Sequence, residues 1–170
     1  MDRCVTWAGR LAASVFLASL LCARTPAAEE KVGQVLPEKE VTAERLVGLF
    51  RDAMIKCDID KDGDIRIEES GVKTFIRLDA NKKLITFFSL WAMKEQVPRE
   101  KKLELINTLN NDLIVVRFCA PKPDILWCDY QMSYEDGLHT YHLVATYRLF
   151  LRVVIGAKLA KDPDNIIGRD

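Results

Sequence analysis

Hydrophobic residues recur with helical spacing in three segments of the chain. In the first, Leu46, Leu49 and Phe50 would share one helix face, and Thr42 before them is a typical N-cap residue. The predicted helices span residues 43–54, the segment from Pro98 to Leu113, and residues 137–158. The predicted buried positions of the second helix are Leu103, Ile106, Leu109, Asn110 and Leu113.

Other segments alternate hydrophobic and polar residues with a period of two, which is typical of strands. Turn sequences such as Lys61-Asp62-Gly63 separate them. The predicted strands cover residues 55–60, 64–68, 72–79, 84–93, 114–120 and 125–134. The order of elements predicts an α+β fold, in which an N-terminal helix, a middle helix and a long C-terminal helix cover a mostly antiparallel sheet.

The beginning of the chain has the pattern of a secretory signal peptide. Arg3 and Arg10 precede an uncharged apolar run from Leu11 to Ala23, and small residues follow up to Ala28. The run is shorter than the ~20 residues of a membrane span, although an uncleaved anchor or a buried helix is the alternative. We expect an exported protein, periplasmic or secreted, with no membrane span after cleavage. The predicted divisions are a signal peptide (1–28), a polar tether (29–41), one α+β domain (42–160) and a polar tail (161–170).

Charge and cysteine content narrow the functional classes. The chain has 25 basic and 25 acidic residues, so it lacks the positive excess of nucleic-acid-binding domains. Removing the signal peptide leaves an odd number of cysteines, so at least one thiol is unpaired. A hairpin register that pairs Phe118 with Cys128 gives one apolar face and places Cys119 and Cys128 on opposite faces. A register that pairs the two cysteines would allow a disulfide but would mix core and polar residues.

An acidic segment over residues 58–69 has two interpretations. Its length and pattern fit the calcium loop of an EF-hand, with carboxylates at alternate positions, a turn glycine and a final glutamate. The candidate calcium ligands are Asp58, Asp60, Asp62, Asp64 and Glu69. The segment also fits a β-hairpin in which apolar residues face each other on one side and opposite charges on the other. The predicted hairpin pairs are Ile59 with Ile65, Cys57 with Ile67, and Asp58 with Arg66.

The residues after this segment distinguish the two interpretations. An EF-hand requires a helix there, whereas Gly71 and Val72 disfavour one. We therefore favour the hairpin and keep calcium binding as the alternative.

The remaining sequence predicts binding rather than catalysis. His139 and His142 share a helix face but have no accompanying metal-ligand pattern. No glycine-rich phosphate loop, dinucleotide fingerprint or nucleophile motif is present in the sequence, so we expect no catalytic residues and no cofactor. The segment over residues 84–93 is apolar at consecutive positions, which indicates a surface for a protein partner. The predicted partner surface consists of Phe87, Phe88, Leu90 and Trp91.

Several segments together resemble the bacterial YbjN family over about residues 42–158. The resemblance rests on the D-x-D-G-D hairpin at residues 60–65 and on residues 74–78, 84–89, 103–110 and 137–138. It implies a type III secretion chaperone-like α+β fold, polypeptide binding, and the family label of sensory transduction regulator. We therefore expect an exported, non-enzymatic, chaperone-like protein-interaction domain. We expect a protein as its partner, and the sequence is compatible with a homodimer.

Overall fold

The protein forms an α+β fold with three helices and a large antiparallel sheet, in agreement with the fold class predicted from the sequence. A computed structural model describes residues 34–168. The strands are β1 (Val35–Leu36), β2 (Cys57–Ile59), β3 (Ile65–Glu69), β4 (Val72–Asp79), β5 (Leu84–Ala92), β6 (Arg117–Lys122), β7 (Ile125–Ser133) and β8 (Leu138–His139). The helices are α1 (Ala43–Asp52), α2 (Arg99–Asp112) and α3 (Thr140–Ala160), with a 3-10 turn at Glu38–Glu40.

Six strands form one sheet in the order β2-β3-β4-β5-β7-β6, and every neighbouring pair is antiparallel. The first hairpin has the predicted register, since Ile59 pairs with Ile65 and Asp58 with Arg66. Gly63 at its turn has a φ of 83°, a conformation that glycine adopts without steric cost. The alternation of apolar and polar residues therefore fixed this register correctly.

One face of the sheet carries the hydrophobic core, and the helices pack against that face. Phe150 of α3 lies 6.4 Å from Phe87 of β5, measured between ring centroids. Tyr147 of α3 contacts Phe50 of α1 edge-to-face at 5.7 Å. The other large, fully buried side chains are Phe118, Leu46, Ile65, Ile67, Ile76, Ile85, Met93 and Leu109.

Helix α1 begins where the sequence predicted, because the Thr42 hydroxyl accepts a hydrogen bond from the Arg45 amide. The predicted extension to Met54 is wrong. Met54 has a φ of 60° and its residue surface is 91% exposed, so it lies beyond the helix and outside the core.

The buried face of α2 was also predicted incorrectly in part. Leu103 is 41% exposed, whereas Lys102 is 4% exposed. The Lys102 ammonium donates a hydrogen bond to the Pro123 carbonyl at 3.1 Å, which compensates its burial. The predicted strand at 114–120 begins only at Arg117, and Ile114 is 80% exposed.

Both ends of the described chain contribute to the fold, contrary to the predicted polar tether and polar tail. Leu36 pairs with Leu138, which precedes α3 in a short two-stranded sheet, and Leu36 is buried. Gly137 allows this approach, because a Cβ there would lie 2.9 Å from the Leu36 carbonyl oxygen. At the other end, Ile166 and Ile167 are buried, and Ile167 bridges to Met93.

The predicted signal peptide at residues 1–28 lies outside the described residues. Between residues 34 and 168, no helix combines the length and apolar character that a bilayer span requires.

Candidate functional site

The four residues of the predicted partner surface lie on both faces of the sheet. The face opposite the helices is here called the open face. Phe87 and Trp91 point toward the helices, and Trp91 lies beneath the Lys158 ammonium at 4.8 Å. Phe88 and Leu90 point to the open face. Successive side chains of a strand alternate between faces, so these four residues could not form one surface, and that prediction is wrong as a unit.

Three aromatic rings stack across the open face and form a continuous row, here called the aromatic ladder. Phe75 of β4 stacks on Phe88 of β5 with ring centroids 5.3 Å apart. Phe88 stacks on Trp127 of β7 at 4.6 Å, with an angle of 6° between the ring planes. Phe75 and Trp127 are half-buried, Phe88 between them is only 4% exposed, and Leu90 beside them is 47% exposed.

The predicted partner surface did not include Phe75 and Trp127, although the signal was present in the sequence. Cys128 and Leu126 were recognisable as core residues, and Trp127 between them must point to the opposite face. The same argument places Phe75 opposite Ile76. The alternation of side chains between the two faces of a strand, rather than local hydrophobicity, identifies the aromatic residues of the open face.

Two arginines flank the aromatic ladder, and each is held by a buried aspartate. Arg117 binds Asp129 through Nε and Nη2, both at 2.8 Å, and the aspartate side chain is only 4% exposed. Arg77 binds the buried Asp64 in the same bidentate manner and lies over the Phe88 ring at 4.9 Å. These hydrogen bonds raise the pKa of both guanidinium groups above the ordinary value.

The two arginines, together with Phe88 and Trp127 of the ladder, line a shallow depression of about 370 Å³ on the open face. Each guanidinium uses Nε and Nη2 for its aspartate, and Nη1 makes no hydrogen bond to residues 34–168. The depression therefore combines a flat aromatic floor with outward donors that the buried carboxylates orient. Its main lining residues are Arg77, Phe88, Arg117, Cys119, Trp127 and Gln131.

The acidic segment forms the hairpin, and the EF-hand interpretation is wrong. Residues 72–79 are a strand instead of the required helix. The candidate ligands are also engaged separately: Asp58 binds Arg66, and Glu69 accepts a hydrogen bond from the Tyr147 hydroxyl at 2.8 Å. Asp60 accepts bonds from the amides of Asp62 and Asp64. Between residues 34 and 168, no group of three metal-ligating side chains converges. His139 and His142 lie 5.2 Å apart, measured between ring centroids.

The cysteines follow the register that was predicted for the second hairpin. Phe118 pairs with Cys128, so Cys119 and Cys128 lie on opposite faces. Cys57, Cys119 and Cys128 are all free thiols. Burial raises the pKa of the Cys128 thiol far above its usual range, whereas Cys119 is half-buried and lines the open-face depression.

The edges of the large sheet are less accessible than its open face. At the β6 edge, the Asn110 side chain donates to the Phe118 carbonyl and accepts from the Phe118 amide, each at 2.9 Å. A register shift between Cys119 and Lys122, together with Pro121, interrupts the ladder further on. The β2 edge is only three residues long. These features oppose the addition of a further strand.

Comparison with known proteins relates this architecture to one family. The family model described as "T3SS (YopN, CesT) and YbjN peptide-binding chaperone 1" matches residues 38–161. No curated protein sequence matches the chain significantly.

Solved structures show the same fold at low sequence identity. YbjN from E. coli matches with a TM-score of 0.61 and 12% identity, over 73% of this chain and 93% of YbjN. A chain of the ExsC–ExsE complex gives 0.55 and 14%, over 72% of this chain and 98% of the other. A chain of the HopA1–SchA chaperone–effector complex gives 0.52 and 14%, over 68% and 91%. The fold and the family match over most of its length show that the chain belongs to the family of type III secretion and YbjN peptide-binding chaperones.

Proposed function

We propose that this protein is a non-enzymatic binding domain that holds an extended polypeptide segment across the open face of its sheet. The aromatic ladder of Phe75, Phe88 and Trp127 carries the proposal. The partly exposed rings of Phe75 and Trp127, which stack on the buried Phe88, give a rigid apolar contact with little loss of side-chain entropy on binding. The family's peptide-binding character supports a polypeptide as the ligand.

The arginines beside the ladder define how the segment is held. The buried Asp64 and Asp129 fix the guanidinium groups of Arg77 and Arg117 before any partner arrives. Donors that are already oriented bind at a lower entropic cost. The segment's apolar side chains would contact the ladder, while its carbonyl or carboxylate oxygens would accept hydrogen bonds from the arginines.

Binding across the face, rather than at an edge, follows from the same geometry. Asn110 and Pro121 block the β6 edge, and the β2 edge is short. Face binding predicts that affinity depends on the ladder side chains and not on new backbone pairing.

A reduced and carboxymethylated protein that cannot refold is a suitable probe for this function. We expect it to bind, to change the emission of Trp127, and to slow alkylation of Cys119, which lines the depression. Cys57 is also half-buried but lies on β2 away from the ladder, so its alkylation should be unchanged. Equal protection of both thiols would contradict binding at the open face.

Substitutions at the ladder provide the matched test. Trp127→Ala and Phe75→Ala should each weaken probe binding about tenfold or more, the loss typical of a buried aromatic contact. Ile114→Ala removes an exposed apolar side chain outside the open face and should leave binding unchanged. If Ile114→Ala reduced affinity as much as Trp127→Ala, the open face would not be the site.

The location of this binding activity is a separate part of the proposal. The signal pattern of residues 1–28 supports export, so the partner would be met outside the cytoplasm, where a role as sensory regulator would act on envelope or secreted proteins. Intact mass and N-terminal sequencing of the protein from its native host should give a mature chain that begins near Ala28. An uncleaved chain recovered from the cytosol would contradict export without affecting the binding proposal.

A further inference from the structure

A second depression lies on the helix side of the molecule, between α1 and the first half of α3. Its volume is about 1280 Å³. Apolar side chains line it, among them Leu49 of α1, Ala53 just after α1, and Val144 and Leu151 of α3. We call this depression the basic groove because its other lining residues include Arg45, Arg148 and Arg152.

The three groove arginines differ from those of the open face. Arg66, Arg77 and Arg117 each bind an aspartate. Eight arginines lie between residues 34 and 168, and five of them have no carboxylate within ion-pair distance in that range. Three of these five line the basic groove, so unpaired positive charge is concentrated there although the chain as a whole is neutral.

Acidic residues in the groove do not balance this charge. Its carboxylates are Asp52 and Glu69, two against three arginines. The first turn of α3 also lines the groove, and no side chain caps this helix. The Thr140 amide donates to the Gln34 carbonyl at 3.2 Å, and the amides that follow it in the first turn favour negative charge, which adds to the effect of the arginines.

We propose that the basic groove binds an acidic amphipathic segment of a partner polypeptide. Aliphatic side chains of the segment would pack between α1 and α3, and its carboxylates would pair with Arg45, Arg148 and Arg152. Charge complementarity selects the acidic partner, and the apolar lining between two helices selects an amphipathic polypeptide. The groove and the open face lie on opposite sides of the sheet, so this site is independent of the proposed ladder site.

The direct test uses two labelled amphipathic peptides of about 15 residues, a length at which an amphipathic stretch can become ordered. One contains glutamate and leucine, and the other contains lysine and leucine in the same pattern. Fluorescence anisotropy with the purified full-length protein should show saturable binding of the glutamate peptide only. Binding should weaken as salt is raised, because surface ion pairs are screened.

Charge reversal identifies the groove. Arg148→Glu and Arg152→Glu should each weaken binding of the glutamate peptide about fivefold or more. Arg99→Glu reverses another exposed, unpaired arginine at the start of α2, outside the groove, and should leave binding unchanged. Trp127→Ala should also leave it unchanged, which separates this site from the ladder.

Three results would overturn the proposal. The first is equal binding of the lysine peptide, and the second is an equal loss of affinity in Arg99→Glu and Arg148→Glu. The third is tighter binding by a Glu29→Gln, Glu30→Gln variant, because it would indicate that the chain's own acidic residues compete for the groove rather than a partner's.

Discussion

Ion pairs of the same chemistry have different energetic roles in this protein because their aspartates differ in burial. The side chains of Asp129 and Asp64 are 4% and 6% exposed, whereas that of Asp58 is 54% exposed. A buried carboxylate without its partner keeps its full desolvation cost. An exposed carboxylate returns to water, so its ion pair contributes little.

Removal of the arginine partner should reveal this difference. Arg117→Met keeps the aliphatic stem but leaves Asp129 buried and unpaired, so we expect a loss of about 1–3 kcal/mol in the free energy of unfolding. Arg66→Met is the matched control, with an expected loss below ~1 kcal/mol because Asp58 is exposed. Urea unfolding measures both, and Asp129→Leu added to Arg117→Met should recover stability. Equal losses in the two single variants would contradict this account.

Tyr147 makes the stability of the fold depend on pH in the alkaline range. Burial, followed by its hydrogen bond to Glu69, raises the pKa of the phenol well above its usual range. The folded state therefore retains this proton where the unfolded state loses it. Stability from this group is fully present below about pH 10, the usual pKa of tyrosine, and is lost as the pH rises above it.

Tyr147→Phe should remove this pH dependence. We expect a loss of about 0.5–1.5 kcal/mol at neutral pH from the missing hydrogen bond, and a flatter fall in stability between about pH 9 and about pH 11. Tyr141→Phe alters a phenol that is 71% exposed and should reproduce the unmodified pH profile. Unfolding by urea at a series of pH values gives all three curves. The same steep alkaline fall in Tyr147→Phe would show that other groups cause it.

At the scale of the elements, local sequence patterns predicted the strand bounds and hairpin registers that depend on residues close together in the chain. The first hairpin, the Phe118–Cys128 register and the bounds of β4 follow from alternation and turn sequences. Positions fixed by distant partners were not predictable in this way. Lys102 is buried because the Pro123 carbonyl happens to lie within its reach, and nothing in the α2 sequence encodes that carbonyl's location.

The candidate site shows the same limit. The predicted partner surface grouped Phe88 and Leu90, which lie on the open face, with Phe87 and Trp91, which belong to the opposite face, and of the two open-face residues only Leu90 is exposed. The ladder spans β4, β5 and β7, so its assembly depends on the strand order, and that order involves a crossover past α2. Hydrophobicity along one strand carries no information about that arrangement.

The Asn110 side chain makes the two hydrogen bonds at the β6 edge that a neighbouring strand would otherwise make, and its removal should have two effects. Asn110→Ala leaves the Phe118 amide and carbonyl without their partner, so we expect a loss of about 1–3 kcal/mol in unfolding free energy. It also exposes an edge that can pair with a second copy, which size-exclusion chromatography would detect as self-association. Asn111→Ala, at the adjacent exposed position, should change neither property. A stable, monomeric Asn110→Ala would show that the edge is protected in another way.

The molecule as a whole is asymmetric, because its helices cover one face of the sheet and leave the aromatic ladder on the other. Both ends of the described chain pack into the fold and complete its core. Leu36 joins the strand before α3, and Ile166 and Ile167 pack under the end of β5. The Asp162 carboxylate holds the last segment in place by accepting the amides of Ile166 and Ile167.

The C-terminal segment should therefore contribute to stability and to the site. Deletion of residues 162–170 removes two buried isoleucines, each worth about 1.5–3 kcal/mol, so we expect a loss of about 3–6 kcal/mol in the free energy of unfolding, measured with urea. The amide of Gly168 also bonds the Ala92 carbonyl at 2.9 Å, at the end of the strand that carries Phe88 and Leu90. Hydrogen exchange should consequently accelerate over residues 89–93, and affinity for an unfolded polypeptide probe should fall. Deletion of residues 169–170 alone is the control and should leave stability within ~0.5 kcal/mol. If the longer deletion were equally neutral, the tail would be the dispensable polar extension that the sequence pattern predicted, and β5 would need no support from it.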